Sequence, residues 1–415
     1  MHCRNSHRLS FFHGSLRRIV QIVLIAAAAS CGGSRHGGGD EANRRLQTLL
    51  EERWNAFAAA RPGIRGSLGI EIRSSERRWF AAAGDPFRGG PSVHIRGAST
   101  TKTFTAAAVM LLRQEGRLDI DALVTDPIPG RNEPYLPGTP EYAIPFKERI
   151  SIRQLLEHRA GVFDLMNNDV PPDRPVPYAG GKYTDYVLEI LGDEDHTFTF
   201  DELASVVAAN RLYHDPPGET FHYSDTGYML LGKIIERVAG RRYHTFINER
   251  FVEPLGLSDT AFPYKGTDQN LPEPMLPGYT RYQGRIIPAG PENFSANVAE
   301  GNITTIAEDL SHWVRALLQG DAGLDGQSID MMQAVKPTFE SHEFYGLGLV
   351  YTEGLGYGHN GGHAGYLTVM RYNPLTDLSV VIFMSIADFD ALNDQQTFMY
   401  ELGRTASGIV LGEGE

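Results

Sequence analysis

The sequence predicts an α+β fold: an antiparallel β-sheet flanked by helices, with a mostly helical region inserted between two groups of strands. Three observations predict it. Strand-like apolar runs occupy residues 66–84 near one end and 345–386 near the other, and from about 115 to 320 the apolar period is helical, interrupted by long loops. With 41% hydrophobic residues and ordinary charge, the 415-residue chain can bury a large core.

Residues 1–31 read as a targeting segment. Arg17 and Arg18 precede the apolar run 19–29, which is too short to span a bilayer but suits a signal-peptide core. Small residues then lead into "AAASCGG", so Cys31 is a candidate for the lipid-modified cysteine of a bacterial lipoprotein, with plain cleavage and secretion as the alternative. An exported, periplasmic protein is expected, attached to a membrane through Cys31 or secreted. Residues 32–44 read as a flexible tether and 45–411 as one domain. The only other cysteine, Cys3, falls in the segment to be removed, so no internal disulfide is expected. A formal net charge of −13 with no basic stripe argues against nucleic acid as a partner. A monomer is expected.

Within the domain, Leu46, Leu49, Leu50, Trp54 and Phe57 recur at helical spacing over 41–60. "GSLGIEIRSS" and "RRWFAAAG" then form a hairpin pair of strands, and Thr100 to Gly116 is helical. At the far end "YGLGLVYTEG", "YLTVMRYNP" and "LSVVIFMSI" read as three strands, and 390–411 as a closing helix. Two long loops, 162–183 and 263–294, are expected to rim a cleft.

Chemistry concentrates in three places. Only six lysines occur in the chain, and Lys102 follows Ser99 by three residues at a helix start, which places amine and hydroxyl on one face. A serine nucleophile beside a lysine suits covalent acyl transfer; the bland alternative is a capping serine and a solvated lysine. Deprotonating a lysine at pH 7 from a reference pKa of about 10.4 costs about 4.6 kcal/mol, so burial or a second acceptor is needed. Tyr223, opening the apolar helical run after "PGETFHYSDTG", is such a candidate. Third, "GLGYGHNGGHAGYLTVM" (354–370) reads as a glycine-rich turn entering a strand, where bare backbone N–H groups can face a ligand. His359 and His363 could pair on a metal at helical spacing, but Gly361 and Gly362 between them speak against a helix.

In order along the chain these are Ser99-Thr-Thr-Lys102, Tyr223-Ser-Asp225 and His359-Asn-Gly361, which resemble the S-x-x-K, Y-x-N and K-T-G or H-x-G motifs of the serine β-lactamase and penicillin-binding-protein superfamily. The likeness is to its class C β-lactamase-like branch, with D-alanyl-D-alanine carboxypeptidases and esterases. "ISIRQLLEHRAGV", "FVEPLGLSDTAF", "GNITTIAEDLSHW" and "YGLGLV" extend it over roughly 45 to 405. The resemblance implies the β-lactamase/transpeptidase-like fold and hydrolysis of a small-molecule ester, amide or peptide through an acyl-enzyme. Ser99 would be the nucleophile, with Lys102 and Tyr223 sharing acid and base work. The backbone N–H groups of Ser99 and Gly362 would form an oxyanion hole worth about 3 kcal/mol each. His359, Asn360, Gly361 and Asp225 would line the substrate pocket, and neither a metal nor an organic cofactor is implied. Alternatives within the superfamily are a carboxypeptidase or penicillin-binding protein and a class C-type β-lactamase. Outside enzymology, a penicillin sensor without turnover or a scaffold lipoprotein would also fit.

Three departures bear on substrate. Asp225 stands where the family has asparagine, and it must either point away from Lys102 or bind something positive. His359 replaces a lysine, and Gly362 sits where relatives that hold a substrate carboxylate often carry a hydroxyl. All three favour neutral or amine-bearing esters and amides over penicillins.

Overall fold

The computed structural model describes residues 37–85, 90–338 and 344–412. The targeting segment and Cys31 lie outside the described residues, and residues 39–415 form one contact unit. Helix α1 (Gly37–Ala59) begins inside the segment expected to be a tether, so residues 37–44 are helical. Arg44 pairs with Glu41 one turn earlier at 2.6 Å, and Leu46 and Leu50 anchor the following turns by complete burial.

The main sheet has eight antiparallel strands in the order β2-β1-β12-β11-β10-β9-β8-β7. These are β1 (Ser67–Arg73), β2 (Arg78–Gly84), β7 (Lys336–Pro337), β8 (Phe344–Tyr345), β9 (Val350–Thr352), β10 (Gly356–His363), β11 (Tyr366–Asn373) and β12 (Leu378–Met384). The expected antiparallel sheet with flanking helices is present. Every residue of β12 is buried because both faces are covered. Val380, Ile382 and Met384 join α1 and the C-terminal helix Leu392–Leu411 in one core; Val381 and Phe383 join the helical region in another.

Helix α2 (Thr101–Gln114) runs through the centre of that second core, with residues 101–112 all buried. Its Phe104 ring stacks on Trp313 with centroids 3.7 Å apart, and Trp313 Nε1 donates to Thr103 Oγ1 at 2.8 Å. A short strand, β3 (Ile95–Ala98), leads into α2 and pairs with β6 (Ile303–Thr305).

The structure corrects three expectations. "YGLGLVYTEG" is not one strand but the hairpin β8–β9. Gly348, at φ +72°, makes the reversal, and a Cβ there would clash with Ala106 Cβ. The glycine-rich stretch 354–370 is strand for most of its length, β10 and β11. Gly358 and Gly361 are needed because a Cβ would strike the carbonyl oxygens of Met370 and Gly97 respectively. The inserted region also carries a hairpin, β4 (Tyr279–Tyr282) and β5 (Arg285–Pro288), besides its helices. It turns on Gln283 and Gly284, both at positive φ, whose N–H groups donate to the carboxylate of Asp390.

Gly348→Ala should lower the unfolding free energy by about 3 kcal/mol, since it combines a positive φ with a clash against α2. Urea denaturation checks this, and an unchanged midpoint would refute it.

Candidate active site

Ser99 sits at the junction of β3 and α2, partly exposed. Ala98 just before it has φ +49°, an uncommon conformation for a residue with a side chain, and the strand turns sharply into the helix there. Threonine hydroxyls lock the turn. Thr100 Oγ1 donates to Gly97 O at 3.0 Å and Thr101 Oγ1 to Ala98 O at 2.8 Å, while Thr101 Oγ1 also accepts from Ile303 N–H of β6 at 3.0 Å. Ser99 Oγ is engaged by Lys102 Nζ and Lys102 is buried, so the bland pairing of a capping serine with a solvated lysine does not hold.

Lys102, one turn into α2, is fully buried beneath Ser99. Its Nζ donates to Ser99 Oγ at 3.0 Å, Asp225 Oδ1 at 2.6 Å and Glu300 O at 2.9 Å, with Glu300 Oε2 at 3.4 Å. Burial opposes the charge on Lys102, but Asp225 above all outweighs it and holds the ammonium well above the usual lysine range. Asp225 therefore does not point away: the positive group it binds is Lys102.

The second motif comes from the helix Asp225–Ala239, whose N-cap Ser224 accepts from Gly227 N–H at 3.2 Å. Tyr223, just outside that helix, sets its ring beside Lys102, 4.9 Å from Nζ to the ring centroid, and shares the wall of one cavity with Ser99. Burial raises its phenol above the ordinary range; Lys102 opposes the shift and Asp225 adds to it, so Tyr223 is a neutral phenol.

Asn167, from the first long loop, donates through Nδ2 to Asp225 Oδ2 and to Asp164 Oδ2, both at 2.8 Å. Three buried carboxyl groups thus surround one ammonium, and they cannot all ionise. Burial and then Asp225 raise Glu300 well above the carboxylate range; burial and then Asp225 likewise push Asp164 up to about 7. Asp225 is the nearer partner of Lys102, 2.6 Å from Nζ against 3.4 Å for Glu300. Asn167, Asp164 and Glu300 are absent from the candidates drawn from the sequence. Their only signal there is position, in the long loop and beside "GNITT".

On the opposite wall lies β10. Strand β9 pairs with it only over Gly356–Gly358, which leaves 359–363 to border the cleft. His359 is buried, with Nε2 2.9 Å from Tyr345 Oη and Nδ1 2.6 Å from Asn360 O. Burial, then the charge of Lys102, lowers it to about 3, so the ring is neutral. The Asn360 side chain is held between Arg371 Nη2 at 2.7 Å and Tyr400 Oη at 2.5 Å. Gly362 is exposed, and a Cβ on it would meet only Leu367 Cδ2 at 3.3 Å, so its bare backbone faces the cleft. His363 is bound to Glu292 at 2.7 Å, away from His359.

Two cavities meet at Ser99, Asn167, Asp225 and Gly362. The larger, about 540 Å³, runs over β10 to the C-terminal helix, with Phe221, Val350, Leu392 and Met399 beside the neutral amides Asn393 and Gln396. No lysine or arginine lines it among the described residues. The smaller, about 360 Å³, carries Asp185, Glu292, Glu300 and Lys182. Both long loops contribute to it, as expected, through Asn167 and Asn293. A hollow of about 660 Å³ near Lys233 and Tyr264 holds none of the candidate residues. Ser99, Tyr223, Asp225, His359, Asn360, Gly361 and Gly362 all line the larger cavity, with Lys102 directly behind.

A model of the family described as Beta-lactamase matches residues 76–398. Among curated relatives, protein flp of Staphylococcus aureus (strain MW2) is 28% identical over 228 residues, 55% of this chain and 39% of that protein. Penicillin-binding protein 4* of Bacillus subtilis (strain 168) is 25% identical over 312 residues, 72% of this chain and 62% of that protein. The chain thus spans less than two thirds of the length of these relatives. Among solved structures, a D-stereospecific amidohydrolase from Streptomyces sp. is 28% identical with a TM-score of 0.70, over 86% of this chain and 97% of that one. D-amino acid amidase from Ochrobactrum anthropi SV3, complexed with L-phenylalanine amide, is 22% identical with a TM-score of 0.67, over 90% and 98%, and has the same fold.

The charge arrangement around Lys102 predicts strong non-additivity. Asp225→Asn lets Glu300 ionise in its place and Glu300→Gln leaves Asp225 intact, so each alone should cost little. The double variant strands a buried ammonium and should lose about 3–5 kcal/mol. Urea denaturation of the four proteins measures the coupling; additive losses would contradict it.

Proposed function

The chain belongs to the Beta-lactamase family, and we propose that it is an exported serine hydrolase that cleaves neutral or amine-bearing esters and amides through an acyl-enzyme on Ser99. One observation carries the proposal: Ser99 Oγ stands 3.0 Å from Nζ of a fully buried lysine at the meeting point of two cavities.

Ser99 Oγ attacks the carbonyl carbon, and its proton passes to the Lys102–Tyr223 pair. The carbonyl oxygen, now an anion, is received by the N–H groups of Ser99 and Gly362. Breakdown expels the amine or alcohol with a proton returned from the same pair, leaving an ester on Ser99 that water hydrolyses by the reverse sequence. Lys102 acts as base only after losing a proton, at a cost of at least about 4.6 kcal/mol at pH 7, and Asp225 adds to that cost. Activity should therefore rise with pH.

The lining of the larger cavity supports the substrate class. A carboxylate-bearing substrate finds no lysine or arginine among the described residues lining it, whereas apolar side chains and neutral amides suit an uncharged acyl group. Asp185 in the smaller cavity offers a carboxylate to an amine. The Streptomyces neighbour, an amidohydrolase, agrees with this class. Export, with Cys31 as a lipid attachment point, rests on the basic, apolar and small residues of 17–31.

Two measurements test the proposal. Intact mass and turnover are recorded with a p-nitrophenyl ester, a D-amino acid amide and benzylpenicillin. Ester or amide turnover should fall on the order of 10³-fold or more in Ser99→Ala, with no lasting penicillin adduct. A persistent penicillin adduct without turnover would replace the proposal with a penicillin-binding role. In the second, Asp225→Asn should shift the ascending limb of kcat/KM to lower pH, because the carboxylate 2.6 Å from Lys102 Nζ is replaced in its role by Glu300, which stands farther off at 3.4 Å and holds the proton less firmly. An unmoved limb would refute Lys102 as the titrating base.

A further inference from the structure

A chain of neutral hydrogen bonds crosses the cleft behind the catalytic groups. Ser224 N–H lies 3.0 Å from His158 Nδ1, His158 Nε2 lies 3.1 Å from Tyr345 Oη, Tyr345 Oη lies 2.9 Å from His359 Nε2, and His359 Nδ1 lies 2.6 Å from Asn360 O. All three rings are buried.

Both ends are fixed in sense, which determines every proton between them. A backbone N–H only donates, so His158 Nδ1 accepts and its proton is on Nε2. That proton goes to Tyr345 Oη, and the phenol gives its own to His359 Nε2. His359 then carries its proton on Nδ1, facing a carbonyl that only accepts. Tyr228, packed on the His158 ring, gives its hydroxyl proton to Leu156 O at 2.9 Å and donates nothing to the chain. With both nitrogens engaged, His359 is left no site for proton exchange with a substrate.

The ends of the chain are informative. Ser224 lies between Tyr223 and Asp225, and the His158 ring stacks on Tyr223 with centroids 4.1 Å apart. Asn360 lies one residue before Gly361 and two before Gly362 on β10. His158 itself is held at φ +54°, a conformation asparagine adopts far more readily than most side chains.

We infer that His158, Tyr345 and His359 are positioning residues that set the spacing between the proton-transfer side of the cleft, Tyr223 and Asp225, and the oxyanion side, Gly362. The inference rests on the proposed hydrolase. It requires that cutting the chain slows chemistry rather than binding, since a small misplacement of reacting groups is felt in the transition state.

His158→Asn keeps an acceptor for Ser224 N–H and suits the backbone, but ends the link to Tyr345. Tyr345→Phe cuts the centre. Each should lower kcat on the order of tenfold with KM within about twofold, and the double variant should be no worse than either single one, because both break one chain. In long-range ¹⁵N–¹H spectra, wild-type His359 should be the Nδ1–H tautomer and His158 the Nε2–H tautomer, and Tyr345→Phe should shift the Nε2 resonances of both rings as their shared hydroxyl is lost. A purely structural role would appear as a lower melting temperature with kcat unchanged and additive losses, and would overturn the inference. A wild-type protein without Ser99-dependent turnover would refute the hydrolase instead, while the spectra would still decide whether the chain exists.

Discussion

A buried ammonium group organises this molecule. Lys102 is fully enclosed yet must keep its charge matched, and an unpaired charge at that depth would cost several kcal/mol. The surroundings answer that demand from four directions: Ser99 at the junction leading into α2, Asp225 at the start of another helix, the carbonyl of Glu300 just before β6, and the ring of Tyr223 4.9 Å away. Elements far apart in sequence are drawn to one atom. The same convergence that satisfies the charge assembles a nucleophile with its proton partners.

Around that point the two sides of the cleft are built differently. The side of Asp225, Asn167, Asp164 and Glu300 is rich in ionisable groups and balanced on few charges. The β10 side is neutral: His359 is uncharged, Gly361 must be glycine to clear the Gly97 carbonyl, and Gly362 presents bare backbone. Charge accumulates where protons move, and plain N–H groups stand where a carbonyl oxygen would gather negative charge.

Legibility in the sequence followed locality. β1 was readable because apolar residues repeat at the period of a strand, β11 and β12 because short apolar, β-branched and aromatic runs mark buried strands, and α2 because its residues repeat at the period of a helix. Ser99 and Lys102 were readable because a helix turn brings them together, and Tyr223 and the 359–362 stretch through the ordered motifs. The β4–β5 hairpin was not, since neither face is well buried and no alternation marks it. The hairpin β8–β9 was hidden because its reversal depends on Gly348 meeting α2. Asn167, Glu300, His158 and Tyr345 were missed as site residues for the same reason: each acts through contacts across 58 residues or more, or through a chain of partners, and no local spacing encodes that. The sequence left two options for Asp225, and only the direction of its carboxylate separates them.

The pairing of β1 with β12 has a consequence for how the chain acquires its shape. Leu68 faces Met384, and Ser67 N–H is held by Ser385 Oγ across 318 residues. Arg61, at the end of α1, reaches Asp388 across 327. The first hairpin and α1 can pack on their own core only after the last strands have been synthesised, so the middle of the sheet closes late and through contacts of very high sequence separation. Such topology slows folding even when the product is stable. A ribosome-bound or carboxy-truncated chain would expose the apolar edges of β1 and α1, leaving a long interval in which the polypeptide remains threadable and vulnerable to proteolysis.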